Sequence, residues 1–156
     1  MRDYVAIAGR EGHYSMFRQR NQENARNYAR GYKSIYQADG RPAPEFDAIA
    51  QLLSIAHERN VAVRLIIYPY HAQTLVLFHQ AGLWDAFEDW KRELVKIVQS
   101  APAGADIELW DFSGFAPYAD EPVPAPEDTA SELRWYWEAG HFKSGLGDLA
   151  LARIFD

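Results

Sequence analysis

The chain has 156 residues, about one domain's worth, and its 48% hydrophobic and 14% aromatic content belongs to a folded globule rather than a disordered tail. A formal net charge of -6 leaves a nucleic-acid partner no electrostatic footprint to bind through. With no cysteine there is neither a disulfide framework nor a thiolate metal site, and the compartment stays open.

The first fifteen residues carry no clear period, with "DYVAIAG" as a weak strand. Their apolar run is far too short for a signal peptide or a membrane span, so the chain reads as soluble and without an export signal. "FRQRNQENARNYARGYKSIYQ" predicts a helix with Phe17, Tyr28, Tyr32, Ile35 and Tyr36 as apolar contacts. The basic run from Arg18 to Lys33 also holds Glu23 and several Asn and Gln, and reads as a solvated helix face. "ADGRPAPE" is a turn that sets Pro44 near a helix start.

"EFDAIAQLLSIAHERN" predicts an amphipathic helix on Phe46, Ile49, Leu52, Leu53 and Ala56, with Asn60 at its end. "VAVRLIIYPY" is the strongest strand signal, a β-branched and aliphatic run halted by Pro69 and suited to burial on both faces. "HAQTLVLFHQAGLWDAFEDWKRELVKIVQSA" is helical throughout, divided near Gly82. "DIELWDFSGF" is a second strand, "APYADEPVPAPEDTA" a long proline-rich loop, and "SGLGDLALARIF" a closing helix. Strands alternating with helices predict an α/β fold with a parallel sheet, in one domain over 1–156: a helical segment at 1–40 ahead of 45–156. Two convincing strands are too few for a doubly wound sheet, so the chain reads as the C-terminal part of one, with apolar edge and face exposed and homo-oligomerisation expected.

In open parallel sheets ligands bind outside the C-terminal strand ends. That rule selects "YPYHA" and "WDFSGF", and "WYWEAGH" joins them. Together they supply Tyr68, Tyr70, His71, Trp110, Asp111, Ser113, Trp135, Trp137, Glu138 and His141. In Glu138-x-x-His141 a tight turn lets the carboxylate accept from imidazole Nδ1, fixing the tautomer and freeing Nε2 as a general base. Each residue also has a structural alternative. Glu138 suits a helix N-terminus, His141 a packing role, His71 an N-cap region, and the tryptophans a core. Asp111 reads as a loop cap, and Ser113 lacks a G-x-S-x-G setting. His13, His57 and His79 read as surface or packing residues. No H-E-x-x-H, acidic calcium loop or phosphate-cradling glycine loop is present, so neither metal nor cofactor is expected.

"WYWEAGHFKSGLGDLALARIF" resembles the C-terminal block of SGNH (GDSL-type) hydrolases and their bacterial polysaccharide O-acetyltransferase-like relatives. Through "VRLIIYPYHAQTL", "GLWDAFEDWKRELV" and "LWDFSGF" the similarity extends over roughly residues 45 to 156. The resemblance implies a flavodoxin-like three-layer α/β/α fold, no cofactor, and a Ser-His-Asp triad acting on acylated carbohydrate or a small ester in a periplasmic setting. His141 matches the family's catalytic base, and Glu138 stands where aspartate is usual, its extra methylene displacing the carboxylate. The family's Gly-x-Ser nucleophile has no match: "IAGREGHYS" offers Gly9, Gly12 and Ser15 in the wrong pattern, and the oxyanion donors cannot be located. Two functions follow as expectations. One is an SGNH-like esterase or acyltransferase-related protein in which no nucleophile serine is recognisable. The other is a non-catalytic module that binds a glycan or a protein, with Trp110, Trp135 and Trp137 as its stacking surface.

Overall fold

A computed structural model describes residues 2–30 and 34–156. The chain divides into two compact units, each assembled from separated segments. The first comprises Met1–Gly31, Tyr68–Ala81 and Phe112–Asp156, and the second Tyr32–Ile67 and Gly82–Asp111. Five helices and two small sheets make up the described residues, a mixed α/β chain.

The second unit carries the parallel pair. Helix α2, Glu45–Glu58, buries Phe46, Leu53 and Ala56. Leu52, six positions beyond Phe46, turns to the opposite side and is exposed. Asn60 takes a positive φ of 54° just past the helix, a conformation asparagine tolerates. Strand β1, Val63–Ile67, pairs in parallel with β2, Ile107–Asp111, in register from Val63↔Ile107 to Ile67↔Asp111. Helix α4, Trp84–Gln99, supplies Leu94 to a core with Phe46 and Ile67, and Trp90, Ile97 and Leu109 pack around it. Tyr36 is not helical: it forms an isolated bridge with Pro42 and its hydroxyl donates to Glu93 Oε1 at 3.1 Å. Tyr32, grouped with it on sequence, lies outside the described residues.

The first unit holds α1, Arg2–Arg30; α3, Ala72–Gln80; the antiparallel pair β3, Tyr136–Glu138, and β4, His141–Phe142; and α5, Ser144–Phe155. Residues 2–15 are therefore helical, and "DYVAIAG" is no strand. Its alanines favour helix, and among the described residues it has no strand partner. Gly12 breaks α1 with φ 75° and ψ 157°. A Cβ there would lie 3.1 Å from Thr129 Cα, so the kink needs glycine twice over. Beyond the kink His13, Met16 and Phe17 turn inward, and Phe17 joins Leu133, Tyr136, Ala139 and Leu146 in the core. Arg20 continues the same stripe, at three and four residues from Phe17 and Met16.

The loop between β2 and β3 has no regular element but is closely tied down. The Ala119 carbonyl accepts from Ala72 N at 2.6 Å, and Tyr118 OH donates to the Phe112 carbonyl at 3.0 Å. The Glu121 carboxylate accepts from the backbone amides of Arg134, Trp135 and Tyr136, while Asp128 Oδ1 accepts from those of Ala130 and Ser131. The loop's length is thus spent on presenting the β3–β4 hairpin. No helix among the described residues is long and apolar enough to cross a membrane.

Candidate active site

The segment that reads as a turn into the last helix forms a two-residue hairpin. Glu138 and His141 face each other across Ala139-Gly140 as paired residues of β3 and β4. Tyr136 and Glu138 point inward and Trp137 between them points the other way, as strand alternation requires. Tyr136 is completely buried and its hydroxyl donates to the Pro69 carbonyl at 3.3 Å. The Ala139 carbonyl accepts from Thr74 Oγ1 at 2.8 Å, so the turn is tied to α3.

Glu138 is 2% exposed, yet both of its oxygens have partners. Oε1 accepts from His141 Nδ1. Oε2 accepts from Gly140 N at 2.8 Å and from Arg20 Nε at 3.2 Å. Burial works against the Arg20 charge, but the Glu138 carboxylate, with Glu23, outweighs it and holds the guanidinium above its ordinary pKa. The His141 side chain is 49% exposed, and its ring lies 5.5 Å from that of Tyr4, whose hydroxyl is 3.2 Å from Nδ1. An ionised carboxylate only accepts, so Nδ1 carries the proton. Nε2 makes no hydrogen bond among the described residues. A buried carboxylate that orients a half-exposed imidazole, with the far nitrogen free, is the arrangement that general-base chemistry needs. A cavity of about 280 Å³ lies beside Glu138, lined by Tyr4, Ile7, Met16, Gln19, Arg20 and Glu23.

Of the other sequence-selected residues, Tyr68, Tyr70, His71, Ser113, Trp135 and Trp137 belong to the first unit with this pair, and Trp110 and Asp111 to the second. Tyr68 OH accepts from Phe142 N at 3.4 Å, and its ring packs 4.7 Å from that of Phe142. Tyr70 lies 5.4 Å from Tyr68 and 5.6 Å from Phe78, and burial pushes both phenols above their ordinary pKa. His71 takes its structural alternative: Nδ1 accepts from Gln73 N at the start of α3, and Nε2 bonds the Glu121 carbonyl at 3.0 Å. Ser113 is buried, with 2% exposure. Trp110 belongs to the second unit, where its Nε1 donates to Glu108 Oε2 at 2.8 Å. Asp111, in the same unit, pairs with Lys91 at 3.5 Å.

The two tryptophans of the hairpin segment carry cations on their faces. Arg134 covers Trp135 at 4.2 Å and Lys143 covers Trp137 at 4.4 Å. A sugar ring seeking those faces would have to displace them. Tyr4 and His13 take Trp137 from other directions, with His13 Nδ1 donating to the Trp137 carbonyl at 2.9 Å.

Sequence reading missed Tyr4, Arg20 and Gly140. Arg20 was legible in principle, since it follows His13, Met16 and Phe17 at helical spacing, but its basic neighbours drew it into a solvated face. Among the described residues no three His, Asp or Glu side chains converge as a metal site requires. No family model, curated protein or solved structure matches this chain.

Proposed function

We propose that the chain is an SGNH-like esterase or acyltransferase-related protein, with a flavodoxin-like three-layer core, whose base is His141 and whose orienting acid is Glu138. One observation carries the reading: a buried Glu138 carboxylate is hydrogen-bonded to Nδ1 of a half-exposed His141 whose Nε2 has no partner among the described residues. His141 Nε2 removes the proton from an attacking hydroxyl as its oxygen bonds to the acyl carbon. It then returns that proton to the departing alkoxide. Glu138 holds the tautomer and stabilises the imidazolium formed midway. No serine hydroxyl among the described residues hydrogen-bonds to His141. Water or an acceptor alcohol supplies the attacking oxygen in this reading. The substrate class is an acylated carbohydrate or a small ester.

Turnover of p-nitrophenyl acetate by the purified protein tests this. His141→Ala should lower the rate by about a hundredfold. Glu138→Gln separates an oriented base from any exposed imidazole: it should cut the rate at least about tenfold while leaving His141 in place. Equal background rates in all three proteins sink the catalytic reading.

A further inference from the structure

We infer that Arg20 is the positioning residue of this pair: its Nε–H, together with the Gly140 amide, commits one oxygen of Glu138 and thereby reserves the other for His141 Nδ1. The inference rests on reading Glu138 and His141 as a working pair. A carboxylate has two equivalent oxygens, and unless one is claimed the group can rotate and offer either. Here Oε2 is claimed by two donors, at 2.8 Å and 3.2 Å, and Oε1 is left for the imidazole. A buried carboxylate also needs a cation, and among the lysines and arginines of the described residues it is Arg20 that reaches it.

Arg20 is itself held. Its Nη1 donates to Glu23 Oε2 at 3.0 Å, and Glu23 Oε1 accepts from Gln19 Nε2 at 3.1 Å. A chain of hydrogen bonds therefore runs from α1 through Glu23, Arg20 and Glu138 to the ring of His141. The guanidinium spreads over two carboxylates through two different nitrogens, which a lysine ammonium cannot match in geometry. The other groups on this face are Tyr4, beside Nδ1, and Tyr68, whose hydroxyl takes the Phe142 amide. Neither touches Glu138 Oε2, so neither can substitute for Arg20.

The tautomer of the neutral His141 ring, read from its nitrogen-15 NMR shifts, is the direct measure. The wild-type ring should be held as the Nδ1–H form. Arg20→Gln should move the ratio of Nδ1–H to Nε2–H about fivefold toward Nε2–H, the loss of roughly one net hydrogen bond. Arg20→Lys keeps the charge without the fork and should fall between the two. In a Glu138→Gln background, Arg20→Gln should change nothing further, because its action passes through Glu138. A folded Arg20→Gln protein with the wild-type ratio overturns the inference, as does a shift of the same size in the Glu138→Gln background. Should Arg20→Gln not fold, Arg20→Lys decides, and an unchanged ratio there also overturns it. Absence of ester turnover in the wild type would remove the catalytic reading and leave this measurement intact.

Discussion

The start of α3 and the β3–β4 hairpin each present a histidine, and the two have opposite fates. His71 is 3% exposed, both ring nitrogens are taken by the main chain, and its ring meets Phe17 and Tyr136 edge-on at 4.8 Å and 5.1 Å. His141 is half exposed, with one nitrogen on a carboxylate and the other without a partner among the described residues. What separates them is which atoms claim the ring, not the residue type. A histidine whose two nitrogens serve the backbone is a cap and a strut. One whose single engaged nitrogen faces a buried carboxylate is equipped to move a proton.

The largest effect should come from breaking the strut. His71→Ala removes the α3 cap, leaves the Glu121 carbonyl without its donor and opens a hole against Phe17 and Tyr136, for a loss of about 3 kcal/mol. His141→Ala, at a half-exposed position, should cost about 1 kcal/mol or less. Chemical denaturation of the two variants measures the difference. Similar losses would erase the distinction between the sites.

Acid sharpens the same contrast by a smaller effect. Burial, the leading cause, pushes the His71 pKa below its ordinary value of about 6.5. The unfolded chain therefore takes up a proton at that position before the folded one does. The contribution is fully present above about pH 6.5 and is lost as pH falls from there through the lower folded value. His71→Asn keeps a side-chain acceptor for the Gln73 amide and has nothing to titrate, so its stability should be flatter across that window. Melts at a series of pH values would show it, and a wild-type profile already flat there would contradict the account.

The same pair of regions marks how far sequence reading reached. Local signals were sufficient where one residue type dictates one backbone state. Pro44 precedes α2, Gly82 with φ 68° separates α3 from α4, and the aliphatic run halted by Pro69 holds β1. The Glu138–His141 pairing was legible too, because three residues are enough for a tight turn to bring both side chains together. What the sequence hid depends on distant partners. The apolar period of α1 is interrupted by Gly12 and continued by the charged Arg20, so the inward stripe of His13, Met16, Phe17 and Arg20 looks solvated when read along the chain. Arg20 turns in because Glu138, 118 positions away, must be neutralised. Trp110 and Asp111 belong to the second unit while Ser113, two residues on, belongs to the first. A rule about strand ends cannot anticipate that division.

The smallest effect is expected at Gly140, and it contrasts with Gly12 in the same unit. A Cβ at Gly140 would meet Glu138 Oε2 at 3.5 Å and Arg20 Cδ at 3.6 Å, ordinary contact distances, and the residue's φ lies outside the left-handed region. Its essential contribution is the amide that bonds Glu138 Oε2, and alanine keeps that amide. Gly140→Ala should therefore change stability by no more than about 0.5 kcal/mol, helped by the reduced freedom of the unfolded chain. It should also leave the His141 tautomer as it was. At Gly12 the left-handed φ and the 3.1 Å approach to Thr129 Cα make the same substitution costly, by about 1–3 kcal/mol. Thermal melts of the two alanine variants compare them directly. If Gly140→Ala proves as damaging as Gly12→Ala, the hairpin turn is packed as tightly as the α1 kink, and Glu138 is then held by steric confinement rather than by the hydrogen bonds that point it at His141.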